Sequence, residues 1–207
     1  MNGVGDIRIE GITRGAFLAR SVLTASALYG AAAAGPALTR ALAHEKHGAF
    51  SGGDVGIVNF ALTLEKIEAD FYKQALLAVD LSPPAKKLIQ EIQKHEDEHV
   101  KALTQSLQQL GGKADPPVKA TFGTPTNERA LLRVAFDLED TGVAAYNGAA
   151  TQILSKDLLQ AAGSIAQVEA RHAGALRELA GEFPTVAAFD KVLSGEQADE
   201  AVHELTT

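Results

Sequence analysis

The sequence predicts an all-α fold, an antiparallel four-helix bundle with one long crossover between helices 2 and 3. Three observations carry this. From Asp54 onward the apolar residues recur at helical spacing, with almost no strand-like alternation. Clusters of Gly and Pro divide that stretch into four long segments. One connection, residues 113–126, is aperiodic and holds Pro116, Pro117 and Pro125.

Taken in order, residues 1–43 differ from the rest. Arg14 and Arg20 precede the Ala-rich stretch 21–34, followed by Gly35-Pro36 and the small-residue site Ala41-Leu42-Ala43. That is the order of a secretory signal. Fourteen helical residues span roughly 21 Å, short of the roughly 30 Å hydrocarbon core, so a membrane span is disfavoured. The sequence predicts export with cleavage after Ala43, or else a retained N-terminal helix serving as an anchor or arm. Residues 44–53 read as a Gly- and Ser-containing linker, 54–181 as the bundle and 182–207 as a tail.

Segment one runs from about Asp54 to Val79 and ends at Asp80-Leu81-Ser82-Pro83-Pro84. Ser82 and Pro83 form the N-cap and first-turn proline of segment two, which stops at Gly111-Gly112. Segment three, about Asn127 to Leu154, meets segment four at Ser155, and segment four ends near Gly181 before Pro184. Helices of about 25 residues are roughly 38 Å long, and about 15 extended residues reach roughly 50 Å. The connection can therefore travel the whole bundle, giving two antiparallel hairpins joined by one crossover. Only a short helix, about Glu196 to Leu205, is expected in the tail.

Composition removes several chemistries. The chain has 207 residues and no Cys, so it has no disulfide, iron–sulfur cluster or thiolate nucleophile, and any metal must be held by His and carboxylates. Nineteen Lys and Arg against 26 Asp and Glu give a net charge of −7, with no basic run, which argues against a nucleic-acid partner.

Each segment interrupts its own apolar stripe once. Glu65 falls among Val58, Ala61, Leu62, Ala69, Tyr72 and Leu76. In segment two, Glu96 and His99 break the stripe of Ile89, Ile92, Val100, Leu103 and Leu107 one turn apart. Glu139 sits among Leu132, Ala135, Phe136, Val143 and Tyr146, and Glu169 with His172 among Ala162, Ile165, Ala173 and Leu176. Glu65 lies 15 residues before Asp80 and Glu96 lies 14 after Ser82, while Glu139 lies 16 before Ser155 and Glu169 lies 14 after it. All four carboxylates are thus expected at one depth. Glu65 and Tyr72 recur as Glu139 and Tyr146 at an offset of 74, and Glu96 and His99 as Glu169 and His172 at an offset of 73, which implies a pseudo-two-fold pair of hairpins.

Burying an isolated carboxylate costs several kcal/mol or more even after relaxation, and four together repel one another. Their negative charges match two divalent cations, and the oxygen-rich set with two nitrogens suits iron or manganese. Tyr72 and Tyr146 lie on the core stripes and read either as packing residues or, seven positions from a ligand, as hydrogen-bond donors to carboxylates across the bundle. His95 and His99 are spaced i, i+4, but the order of His95-Glu96-Asp97-Glu98-His99 is wrong for a zinc protease, and Asp97 and Glu98 point away from the stripe. Glu68 is expected on the flank of its helix, with an extra ligand or carboxylate shuttle as the other reading.

Glu65, Glu96-x-x-His99, Glu139 and Glu169-x-x-His172 resemble the ligand order of the ferritin-like di-iron carboxylate superfamily, over about Asp54 to Gly181. More narrowly, residues 59–65 (Asn-Phe-Ala-Leu-Thr-Leu-Glu), the export-like N-terminus and the tail segment 188–194 resemble the exported bacterial ferritin-like domain family related to desiccation-related proteins. The resemblance implies a metal pair held by Glu65, Glu96, His99, Glu139, Glu169 and His172, with Glu65 and Glu139 terminal or semi-bridging and Glu96 and Glu169 bridging. It implies iron as the metal, manganese as the alternative, and O₂ or H₂O₂ as the reactant. The implied activity is ferroxidase or peroxide-reducing in stress protection. A dimanganese catalase and a non-catalytic, metal-stabilised structural protein share the pattern. Export to the periplasm, cell envelope or exterior is expected, with a twin-arginine-like signal that has Gly15 where the second Arg would stand. Membrane association enters only if the N-terminal helix is retained, and a homo-oligomer is compatible with the chain.

Overall fold

The computed structural model describes residues 48–206, which fall within one compact unit, Lys46–Thr207. The export segment, His44 and His47 lie outside the described residues. These are all-helical: α1 Gly53–Ala78, α2 Pro83–Gln109, α3 Glu128–Ala149, α4 Lys156–Leu179 and α5 Gly195–Thr206. None of them is long and apolar enough to cross a membrane.

Local chemistry sets the boundaries. The Ser82 hydroxyl accepts from the Ala85 N–H, with Pro83 and Pro84 in the first turn of α2. Asn127 caps α3 through the Ala130 N–H at 3.0 Å, and Ser155 caps α4 through the Leu158 N–H at 3.3 Å. Gly111 ends α2 at φ 71°, a left-handed conformation that a side chain rarely adopts, and the Gly112 N–H closes back onto the Leu107 carbonyl at 2.9 Å. The third helix ends at Ala149, five residues short of the extent its apolar period predicts. Ile153 still reaches the core, but Asp54 on α1 accepts the Leu154 and Ser155 N–H groups, each at 2.8 Å, and pulls the chain out of the helix.

The same contacts fix the topology. Asp54, at the start of α1, lies at the α3–α4 turn. Glu128, at the start of α3, accepts the Ser82 N–H at 2.5 Å at the α1–α2 turn. The crossover therefore runs the full length of the bundle, and α1 packs antiparallel against both α2 and α3. It also lies along α1, where Asn59 donates to the Lys113 carbonyl and Phe122 meets Phe71 edge-on at 5.0 Å.

The segment after α4 returns to α3: the Leu193 N–H donates to the Ala144 carbonyl at 3.0 Å. Gly148 makes this approach possible, since a β-carbon there would fall 1.9 Å from the Leu193 oxygen. The last helix is two residues longer than expected and packs on α3, and the Ala49 N–H bonds to Gly195. Two apolar clusters fill the bundle. One contains Phe50, Ile57, Leu62, Leu107 and Ile165, and the other Phe71, Ile89, Leu131, Leu132 and Leu176. In sequence along every helix, the polar interruptions fall between the two.

Candidate metal centre

Four helices each send a carboxylate into the gap between these clusters. Glu65, Glu96, Glu139 and Glu169 are all 0% exposed, His172 is buried and His99 half-buried. The Glu-x-x-His spacing on α2 and on α4 places each imidazole one turn from its own glutamate, on the same face.

The distances form two interlocked sets. His99 Nδ1 lies 3.1 Å from Glu65 Oε2, 3.1 Å from Glu96 Oε2 and 2.9 Å from Glu169 Oε1. His172 Nδ1 lies 3.2 Å from Glu139 Oε2, 3.2 Å from Glu169 Oε2 and 3.1 Å from Glu96 Oε1. Glu96 and Glu169 thus offer one oxygen to each imidazole, whereas Glu65 and Glu139 each face one. Two groups, Glu65/Glu96/His99/Glu169 and Glu96/Glu139/Glu169/His172, present ligand atoms within 4.8 Å of one another.

A metal fits this donor set. One ring N–H cannot donate well to three oxygens at once: Glu96 Oε1 and Glu169 Oε1, though 3.1 and 2.9 Å from an Nδ1, are poorly aligned to accept from it and have no other partner despite complete burial. Neighbouring ligands of an ion bound at about 2.1 Å stand roughly 3 Å apart, the spacing found around each Nδ1.

Without a metal, protons take up the charge. Burial pushes Glu65 up to about 8, helped by Glu169 and Glu96. Burial likewise drives Glu139 well above the carboxylate range. Burial also acts against charge on both histidines, but hydrogen bonds to the carboxylates outweigh it and hold His99 up at about 12 and His172 at about 11. Burial alone would raise Glu96 and Glu169 too, yet hydrogen bonding, chiefly with the histidines for Glu96 and with Glu139 and the histidines for Glu169, holds both below the ordinary value.

The tyrosines close the cluster crosswise. The Tyr146 hydroxyl on α3 donates to Glu65 Oε1 on α1 at 2.5 Å, and the Tyr72 hydroxyl on α1 donates to Glu139 on α3. Each carboxylate beside one histidine is therefore fixed by a phenol from the opposite helix.

Two residues are placed otherwise than the sequence suggested. Glu68 is not on a flank: it is fully buried, with both oxygens unpartnered. Because α1 is covered by α2, α3 and the crossover, its buried face is wider than a single stripe and takes in position 68. His95, which no pattern on its own helix explains, reaches α4, where its Nδ1 lies 2.9 Å from His172 Nε2. A surface opening lined by His95, Glu98, His99, Val168, Arg171 and His172 leads to both histidines.

The chain matches the ferritin-like domain family over residues 53–182. It is similar in fold to a dodecameric thioferritin, the bacterioferritin-related protein of Bacteroides fragilis, with a TM-score of 0.52 and 20% identity, covering 58% of this chain and 80% of that one. A conserved hypothetical protein of Mycobacterium tuberculosis gives a TM-score of 0.54 at 19% identity, covering 64% of this chain and 93% of that one. No curated protein matches the chain significantly.

Proposed function

The chain belongs to the ferritin-like domain family, and on that premise we propose that it is a di-iron carboxylate oxidoreductase that reacts with O₂ or H₂O₂ in stress protection, as a ferroxidase or peroxide reductase. The observation that carries this reading is the pair of Nδ1 atoms, each set 2.9–3.2 Å from three buried carboxylate oxygens. Glu65 and His99 would hold one ion, Glu139 and His172 the other, and Glu96 and Glu169 would face both. When bound, the iron pair supplies redox chemistry by cycling between divalent and trivalent states.

The chain's own residues set the conditions. The two apolar clusters keep bulk water from the carboxylate layer on both sides along the bundle axis. Tyr72 and Tyr146 hold Glu139 and Glu65 in place. The opening between α2 and α4 admits a small oxidant at the histidine edge.

The test adds two equivalents of Fe(II) to the metal-free protein in air and follows ferric absorbance in the near ultraviolet. Oxidation well above the buffer rate, lost in Glu96→Ala, is expected. A wild-type rate equal to buffer, or an unaffected Glu96→Ala, overturns the reading. The signal-like order of residues 13–43 supports placing this activity outside the cytoplasm. Recovery of the uncleaved chain in the cytosolic fraction of its own cells would count against that.

A further inference from the structure

The internal repeat relates Glu96 to Glu169 and His99 to His172 by 73 residues, and the same step relates His95 to Val168. Both lie at the opening that leads to the histidine pair. One of the two related imidazoles therefore has a histidine from the other hairpin beside it, and its counterpart has a hydrocarbon.

The contact is an in-plane hydrogen bond. The His95 and His172 ring centres lie 5.2 Å apart with 7° between the planes, while Nδ1 of one and Nε2 of the other are 2.9 Å apart. A ring nitrogen sits roughly 1 Å from its ring centre, so these distances place the rings side by side, not face to face. His172 Nδ1 is turned to three carboxylates, which leaves Nε2 to carry the outward proton, and His95 Nδ1 accepts it. His95 Nε2 in turn faces Glu91 Oε1 at 3.9 Å. A histidine whose far N–H is bonded is a better-oriented and more basic metal ligand, and losing such a partner lowers metal affinity about 10–100-fold.

We propose that His95 is a positioning residue that makes the two metal positions unequal, so that the ion beside His172 is held more tightly than the ion beside His99. This rests on the di-metal reading above. The protein is built to fill the two positions in order, His172 side first.

The experiment titrates the metal-free full-length chain with Co(II), following visible absorption and heat. Wild type fills in two resolved steps. His95 has a side chain 44% exposed, so His95→Val keeps the fold, checked by thermal denaturation, and weakens only the tighter step by about 10–100-fold, narrowing the gap. His95→Gln, whose amide oxygen accepts the same N–H, restores it. Two equal steps in wild type, an unchanged gap in His95→Val, or a loss that Gln does not restore overturns the proposal while leaving the di-metal reading intact. Failure of wild type to bind Co(II) at all overturns both.

Discussion

A β-carbon on Gly142 would come within 3.0 Å of Glu68 Oε1, so the glycine on α3 leaves the space that the Glu68 carboxylate from α1 occupies. The two positions are counterparts, 74 residues apart like Glu65 and Glu139. One hairpin carries an extra carboxylate and the other carries the room for it. Burial, followed by the charges of Glu65, Glu169 and Glu139, drives the Glu68 carboxyl well above its ordinary range and favours its neutral form, and neither of its oxygens has a partner.

An unpartnered buried acid destabilises the metal-free fold. Replacing it by an apolar chain of similar reach removes the desolvation cost without opening a void, so Glu68→Met should stabilise the metal-free protein by about 1–3 kcal/mol. Denaturant midpoints of the two proteins measure this directly. A lower midpoint for the variant would mean that Glu68 has a stabilising partner in the metal-free state.

The crossed tyrosines predict the opposite sign. Tyr146→Phe and Tyr72→Phe each strip a hydrogen bond from a carboxyl that is 0% exposed, Glu65 and Glu139 respectively, and leave nothing to replace it. Each should cost about 1–3 kcal/mol in the metal-free protein. Because the two carboxyls belong to one charged cluster, the double variant should depart from the sum of the singles, which a double-mutant cycle reads out.

The register of the bundle was legible because it depends on local chemistry. Ser82 and Ser155 cap helices through side chains that compete for nearby N–H groups, and counting outward from the two turns, at residues 80–82 and at Ser155, puts the four glutamates at one level. What the sequence hid depends on distant neighbours. The burial of Glu68 follows from how many elements cover α1. The end of α3 follows from Asp54, about 100 residues earlier in the chain. His95 meets His172 because of how α2 and α4 are rotated against each other, and no periodicity within either helix records that.

Metal-free stability should fall as pH rises. Glu65 is raised to about 8 in the folded protein, so between its ordinary value of 4.5 and about 8 the folded state binds more protons than the unfolded chain. The histidines, raised to about 12 and 11 from 6.5, extend the same imbalance into the alkaline range. Wherever the folded state holds the extra protons, stability decreases with pH. Thermal midpoints of the metal-free protein from pH 5 to pH 9 should decline. Glu96 and Glu169, held low, act the other way only in acid, below about pH 4.5. A rising or flat midpoint across that range would contradict the protonation pattern.

Metal loading must expel those protons, and their number can be counted. His99, His172 and Glu65, raised to about 12, 11 and 8, hold protons at pH 7 in the metal-free cluster, burial favours the protonated form of Glu139 as well, and hydrogen bonding favours the ionised forms of Glu96 and Glu169. Each group must lose its proton to ligate, so two divalent ions should release about four protons, which keeps the buried layer electrically balanced. Glu68 lies outside both ligand groups and is not counted. Titration with Zn(II) in a weakly buffered solution, followed by pH-stat, gives the count at pH 7. At pH 9, where Glu65 is already largely ionised, the count should drop by about one. Release near zero at both values would mean that the carboxylates and histidines exchange no protons for metal, and that the ions bind elsewhere.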